Sequence, residues 1–246
     1  MWHIQQIVSE HSCHRSCVVA RPAKFSGSSE EQYWAKIFTG SKLQPDFDRF
    51  SRQIEFSSSV DSPGLIPVVD ANLTSTSPIV VYPFVEAQTL DSWLNSRSQF
   101  LSNLRLIKLV RQLLEALNAI HIAGMAHCQI NLDHILVTDF DESLRLIGLG
   151  GVEPISKYVQ LSRPVSPFDA PEVRNGFFEV SSAIDVFAVG RLIIQLFGNN
   201  AASWPIVQAM TSTKAVHRPT SSELLLLLED LENRQRKENN RVVRAA

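Results

Sequence analysis

Several features are scarce in this chain of 246 residues. It has three cysteines, an odd number that does not suggest a disulfide framework, so a reducing, cytoplasmic setting is expected. Its longest apolar run, residues 224–228, is far too short to span a bilayer, and the N-terminal residues show no signal-peptide pattern. The net charge is −2, with no block of one sign. We therefore expect no nucleic-acid partner and no membrane partner.

The whole chain is 44% apolar and 20% charged. This composition and length allow one large domain or two closely packed lobes. The first part of the chain reads as strands, with β-prone runs at 33–38 and 79–82. Between them, apolar residues recur at helical spacing after Pro45. The serine-rich stretch 56–63 is expected to be a loop.

From Leu104 the pattern becomes helical. One stripe runs to Gly124, a second helix is predicted over 182–197, and a third starts at the capping-box pair Thr220 and Glu223. Strands first and helices later predict an α+β, two-lobed domain covering 1–246. The expected divisions are an N-lobe at about 1–84, a joint at 83–87, a C-lobe at about 88–234 and a charged tail at 235–246.

One motif relates this architecture to a known protein family. Residues 127–137 read His-Cys-Gln-Ile-Asn-Leu-Asp-His-Ile-Leu-Val and follow His121-x-x-Gly124. This resembles the catalytic loop of protein kinases, in which His-Arg-Asp precedes a lysine and then an asparagine. The resemblance implies a β-rich N-lobe, a helical C-lobe and an ATP cleft between them.

Other segments fall into register with the same family. Ala35-Lys36-Ile37 resembles the strand that carries the nucleotide-binding lysine, and residues 46–71 resemble the regulatory helix and the next strand. Ala170-Pro171-Glu172 is an intact Ala-Pro-Glu motif. Three further matches are the Leu146-Ile147-Gly148-Leu149-Gly150 segment at the Asp-Phe-Gly position, Asp185 in the large-lobe helix, and Arg218 before the last helix. The resemblance implies that Asp185 hydrogen-bonds the backbone of the catalytic loop and that Glu172 pairs with Arg218 inside the large lobe.

The positions that would carry phosphoryl transfer are degenerate. Gln129 stands where the resemblance requires the catalytic carboxylate, and an amide cannot act as a general base. Gly148 and His134 stand at the two magnesium-ligand positions, where glycine offers no ligand and imidazole is a poor one for magnesium. Asn131 replaces the loop lysine. Losing all four groups together predicts no catalytic residue and no metal site.

The nucleotide-binding half is eroded as well. Lys36 is retained, so it stays a candidate phosphate ligand, although a purely structural lysine is an equal alternative. Its expected helix partner is Gln53, which allows a hydrogen bond but no ion pair. Residues 10–20, at the phosphate-loop position, contain no glycine. Trp34 is expected to fill the adenine space, and Tyr82 to narrow the back pocket.

Three further observations concern regulation, the size of the C-lobe and metal binding. Cys128 replaces the loop arginine that would grip a phosphorylated activation segment. The interval from Asp185 to Arg218 is short, which predicts a trimmed C-lobe. A zinc site at His11, Cys13, His14 and Cys17 is not expected, because the spacing is irregular and no second pair closes a tetrahedron.

The sequence therefore predicts a pseudokinase, a kinase-like domain that acts as an interaction or allosteric module. The expected partner is a protein, such as an active kinase or a flanking domain. No cofactor is expected. The alternative is a divergent Ser/Thr protein kinase, or an ATP-binding protein with weak or atypical transfer, which would use ATP and magnesium.

Overall fold

The N-terminal part of the chain is a five-stranded antiparallel sheet in the order β1-β2-β3-β5-β4. The computed structural model describes residues 2–10, 14–20, 32–43, 45–97 and 102–230. The strands predicted at 33–38 and 79–82 are confirmed as β3 and β5. The bounds are β1 His3–Glu10, β2 His14–Ala20, β3 Gln32–Phe38, β4 Asp70–Asn72 and β5 Ile79–Pro83.

Alternation along β3 and β5 decides what faces the cleft. Side chains two residues apart on a strand lie on one face, so Trp34 and Lys36 share a face with Phe38. Phe38 packs with Val80 of β5 and with helix α1, Pro45–Ser59, in one buried cluster. The strand thereby holds Lys36 next to the helix.

Helix α1 is longer than predicted. The expected loop at 56–63 is wrong for its first four residues, because the helix continues to Ser59. The hydroxyls of Ser57 and Ser58 donate to the carbonyls of Gln53 and Ile54 within the helix, at 2.7 and 2.8 Å. These bonds satisfy the serine side chains inside the helix, and buried Phe56 anchors the extra turn in the core.

The rest of the chain is mainly helical, with short strands between the helices. Strand β5 ends at Pro83 and β6 begins at Ala87, so the predicted joint falls between them. The elements that follow are β6 Ala87–Thr89, α2 Leu90–Arg97, α3 Asn103–Ile122, β7 Met125–Ala126, β8 Ile135–Thr138, β9 Leu144–Leu146, β10 Glu153–Pro154, β11 Tyr158–Gln160, α4 Pro171–Arg174, β12 Phe177–Glu179, α5 Ser182–Phe197, α6 Pro205–Met210 and α7 at 221–230.

Helices α3 and α5 form the centre of the large core, as their sequence patterns predict. The apolar stripe of α3 is buried, and Gly124 follows its end with φ +75°. The capping box is also confirmed. The Thr220 amide donates to Glu223 Oε2 at 2.7 Å, and the Glu223 amide donates to Thr220 Oγ1 at 3.2 Å.

The helical lobe is shortened, as predicted. After α5 ends, two 3₁₀ turns and the six-residue helix α6 are the only helical elements before α7. Within the described residues no helix is long and apolar enough to cross a membrane. The predicted charged tail at 235–246 lies outside the described residues, as do residues 11–13 of the predicted phosphate loop.

Candidate functional site

The candidate site is a cleft between the sheet and the helical lobe. It encloses a cavity of about 610 Å³ that reaches from the sheet to the residues after β9. Lys36 and Trp34 of β3 line its roof, and Leu136 and Gly148 lie at its floor. The aromatic side chains of Tyr82 and Phe84 and the link between β5 and β6 complete the wall.

The prediction that Trp34 fills this cleft is wrong. The indole is half-buried and belongs to the cavity wall, where its ring stands edge-on to Phe84 with centroids 6.3 Å apart. It also packs against the cluster that contains Phe38 and Tyr82. This packing against the strand holds the ring at one side, so a cavity of ligand size remains.

The catalytic-loop backbone is held from below by a buried carboxylate. Asp185 of α5 accepts hydrogen bonds from the amides of His127 and Cys128, at 2.7 and 2.8 Å. His121 lies 3.0 Å from the same carboxylate. Asp185 is 1% exposed, so its charge is compensated by donors inside the core. The loop is therefore fixed as the resemblance implies.

His127 is a packed, neutral histidine. Its Nε2 donates to the Ile147 carbonyl at 2.8 Å, and its Nδ1 accepts from the Gln129 amide at 3.3 Å. Burial lowers the pKa of His127 to about 4. The ring therefore links the catalytic loop to the chain after β9 and is not placed as a base.

Gln129 packs against glycine where a kinase would present a carboxylate to substrate. A Cβ added at Gly151 would lie 2.5 Å from Gln129 Cδ, so the glutamine side chain fills the space above that glycine. An amide in this position can neither ionise nor take a proton at ordinary pH. The side chain thus serves as filling between the loop and the 3₁₀ turn Leu149–Gly151.

His134 and Gly148 are fitted to each other. A Cβ at Gly148 would stand 2.7 Å from His134 Cγ, and Gly148 has φ +82°. The imidazole Nδ1 donates to the Gln129 carbonyl at 2.7 Å, and burial lowers the His134 pKa. A neutral ring therefore occupies the space that a side chain at 148 would need. The two positions where the resemblance would expect metal ligands are brought together, but as a packed pair.

Asn131 is used inside the loop. Its Oδ1 accepts from the amides of Asp133 and His134, both at 2.9 Å, and so caps the 3₁₀ turn Leu132–His134. The capping geometry commits the oxygen of this side chain to the backbone. A lysine here would reach toward a phosphate, whereas the asparagine stabilises the turn.

Lys36 lies in the cleft, as predicted, close to Gln53 of α1. The amide nitrogen of Gln53 donates to the Tyr82 hydroxyl at 2.7 Å, a buried bond between α1 and β5. Burial raises the pKa of Tyr82, so the phenol stays protonated. Both Lys36 and Gln53 also line a second cavity of about 240 Å³ toward Arg49, while Glu55 is exposed elsewhere on the helix.

Two carboxylates, Asp139 and Asp141, lie in the turn between β8 and β9. Asp139 lines the cavity and accepts from Gln88 Nε2 at 3.0 Å. Asp141 accepts from Thr138 Oγ1 and from the Ser143 amide, and these bonds lower the pKa of Asp141 to about 2. The Asp141 carboxylate is therefore committed to the turn, whereas the Asp139 carboxylate bonds to β6.

Nothing in the described part of the chain gathers three or more His, Cys, Asp or Glu side chains suited to a metal ion. His11 and Cys13, from the rejected zinc pattern, lie outside the described residues. A magnesium ion with its nucleotide would need carboxylate oxygens at the floor of the cleft. The residues present there, His134 and Gly148, do not fit that ion.

The large-lobe ion pair is intact. Arg218 donates to both carboxylate oxygens of Glu172, at 2.6 and 2.9 Å, and also to the Ser212 and Ala183 carbonyls. Its guanidinium lies 4.9 Å from the centre of the Phe187 ring. This pair joins α4 to the chain before α7 and confirms the two positions that the resemblance assigns to the fold.

A protein-family model described as "Protein kinase domain" matches residues 24–241. The chain belongs to the protein kinase domain family. Similar proteins include NUAK family SNF1-like kinase 2 of Rattus norvegicus, 24% identical over 62% of this chain, and serine/threonine-protein kinase US3 of Human herpesvirus 1 (strain 17), 28% identical over 58%. A probable cyclin-dependent serine/threonine-protein kinase of Dictyostelium discoideum is 29% identical over 54%.

The matched part is a small share of each relative. It makes up 24% of the rat kinase, 30% of the viral kinase and 21% of the Dictyostelium kinase. The chain is thus a kinase-like domain with distant similarity to Ser/Thr kinases, and the predicted bilobal α+β fold with a shortened C-lobe is confirmed. What those longer proteins do as wholes is not carried over by the match.

Sequence reasoning missed the residues that act through packing or long-range bonds. Gly151 under Gln129 is one, and Arg163, described below, is another. A glycine at 151 carries no signal about which side chain will cover it. The loss of the loop arginine at Cys128 could have prompted a search for a replacement guanidinium nearby.

Proposed function

We propose that this domain is a catalytically inactive, kinase-like module that acts through its surface on a protein partner, such as an active kinase or a flanking domain. The observation that carries the proposal is the pair of His134 and Gly148. The imidazole occupies the space where a metal-binding side chain would stand. Gln129 packs on Gly151 in the same way. The positions expected for the proton acceptor and the metal ligands thus hold residues that pack against each other.

A transfer assay tests the catalytic part of this proposal. The protein is incubated with γ-labelled ATP, magnesium and a mixture of acceptor proteins, alongside Gln129→Ala and the exposed control Gln208→Ala. We expect no label above the buffer background in any of the three. Transfer that Gln129→Ala abolishes and Gln208→Ala preserves would contradict the proposal.

The second candidate is an ATP-binding protein with weak or atypical transfer. The observation that favours it is the open cavity of about 610 Å³ with Lys36 on its wall. Thermal unfolding with ATP separates the two candidates, because a ligand that binds the folded state raises Tm. We expect magnesium to add nothing to any ATP-induced shift. A shift that requires magnesium and disappears in Lys36→Ala would favour the second candidate.

A further inference from the structure

The chain between Gly148 and α4 takes the place of the kinase activation segment, and all of it is described. Strand β10 pairs with β7 beside the catalytic loop, and β11 pairs with β12. The Leu161 amide donates to the Gly176 carbonyl at 2.7 Å. The segment thus follows an ordered path along the helical lobe before it reaches Arg163.

Arg163 bridges the end of this segment to the catalytic loop. Its Nη1 and Nη2 donate to the two oxygens of Asp169, at 2.9 and 2.6 Å. Its Nη2 also donates to the Cys128 carbonyl at 3.1 Å. Asp169 is 6% exposed and accepts from the Ser166 amide at 2.6 Å as well. A bidentate pair with a buried carboxylate fixes the guanidinium plane firmly.

The catalytic loop has no arginine of its own at position 128, where the family resemblance expects one, and Arg163 of the segment supplies a guanidinium there instead. Cys128 is buried and has φ +62°, and burial raises the pKa of its thiol, so position 128 carries no charge. Its side chain cannot reach out to an anion on the segment. Its carbonyl oxygen instead accepts the hydrogen bond from Arg163.

A second set of bonds ties the same segment to α1. Arg49 donates to the Ser162 hydroxyl, next to Arg163 in sequence. Arg52 pairs with Glu153, which also binds Lys157 at 2.7 Å. The segment is therefore attached to the small lobe through α1 and to the large lobe through Arg163. Each of these bonds joins a side chain of the segment or of α1 to another group of the chain itself.

We propose that Arg163 is a built-in clamp that keeps the activation segment ordered in the unmodified protein, so that the surface of this segment is permanently presented without phosphorylation. That surface includes the exposed ring of Tyr158, which stacks on the exposed ring of Phe177 from the neighbouring strand β12, with centroids 5.6 Å apart. The clamp goes beyond the proposed loss of catalysis, because it concerns the regulation of the segment and holds whether or not ATP binds.

Amide hydrogen exchange on the phosphatase-treated protein tests this clamp. The reporters are the Leu161 and Ser166 amides, both bonded within or beside the segment. We expect strong protection of these amides in the phosphatase-treated parent protein. In Arg163→Ala, treated in the same way, we expect them to exchange at least about tenfold faster. Arg163→Lys should give an intermediate rate, since one ammonium cannot span Asp169 and the Cys128 carbonyl. The control Arg191→Ala, at an exposed position of α5, should leave the rates unchanged.

Two results would overturn the clamp. One is fast exchange of the segment in the dephosphorylated parent protein. The other is equal protection in the parent and in Arg163→Ala. Should Arg163→Ala unfold, Asp169→Asn keeps the shape of the partner and removes its charge, and it should speed exchange at the same two amides by a smaller factor. No increase there would equally contradict the clamp. Exchange does not depend on phosphate transfer, so this outcome is separate from that of the labelled-ATP assay.

Discussion

The framework under the catalytic loop and the floor of the cleft differ in what their side chains do. In the framework, Asp185 and the pair of Glu172 and Arg218 keep every bond that the family resemblance assigns to them. At the floor, His134 and Gly148 stand at the positions where the resemblance expects metal ligands, and they form a close-packed contact. The two regions lie within one lobe, so a general loosening of the fold does not explain the difference.

The two regions differ in what a substitution would cost the stability of the fold. An unpaired charge in a buried site costs several kcal/mol, so the framework residues can change only together. Catalytic groups contribute little to stability and can be replaced one by one when chemistry is no longer required. The altered floor then acquires new contacts, such as Gln129 on Gly151, that make it stable in its own way.

The largest expected effect is in the framework. Replacing Arg218 with alanine leaves Glu172 without its partner and removes the contact with the Phe187 ring. We expect the free energy of unfolding to fall by about 3–5 kcal/mol, measured by urea denaturation. Arg191→Ala, on the exposed side of α5, should change it by less than about 0.5 kcal/mol. A loss below about 1 kcal/mol in Arg218→Ala would remove the basis of the comparison.

The next effect comes from His127, which joins the framework to the floor. Its pKa is about 4 in the folded protein and about 6.5 when the chain is unfolded. Between these values the unfolded state binds the extra proton, so stability falls as the pH drops from about 6.5 to 4, by about 3 kcal/mol. Neutral, buried His134 adds a contribution of the same sign.

Urea denaturation at pH 7 and pH 4.5 measures this dependence. In His127→Gln, whose amide nitrogen can replace Nε2 as the donor to Ile147, the difference between the two pH values should shrink. The exposed control His217→Gln should retain the full difference. An unchanged difference in His127→Gln would mean that other groups carry the acid sensitivity.

Sequence reasoning succeeded for residues whose surroundings are set by local pattern or by a motif. The resemblance of residues 35–37 to the lysine strand of the family placed Lys36 in the cleft, and the capping box fixed the start of α7 at Thr220. Asp185 and Arg218 followed from their positions in family segments. Each of these depends on spacing along the chain, which a single sequence displays directly.

The failures depend on contacts between distant segments. Trp34 was expected to fill the cleft, but its ring packs on Phe84, which is fifty residues away in the sequence. The sequence pattern predicts too early an end for helix α1. Hydrogen bonds from serine hydroxyls to carbonyls of the same helix satisfy these side chains, and they leave no signal in the sequence. Packing between distant segments decides which way a side chain points and which residue covers a glycine. The pattern of residues along the sequence does not contain this information.

The smallest expected effect examines the floor itself. Gly148→Ala adds one Cβ at φ +82° against the His134 ring, whereas Gly124→Ala adds one at φ +75° with no atom within 4 Å. Both carry the cost of a left-handed backbone, about 1–2 kcal/mol, so their difference isolates the contact with His134. We expect Gly148→Ala to lose about 1–3 kcal/mol more than Gly124→Ala in urea denaturation, because the ring must move from its place.

A double-mutant cycle completes the comparison of floor and framework. In a His134→Ala background the extra cost of Gly148→Ala should vanish, since the atoms that meet the new Cβ are gone. Persistence of the extra cost in that background would show that the His134 ring is not what excludes a side chain at 148. If the cost does vanish, introducing a metal-binding side chain at Gly148 requires a change at His134 as well, because the packing of the imidazole excludes it.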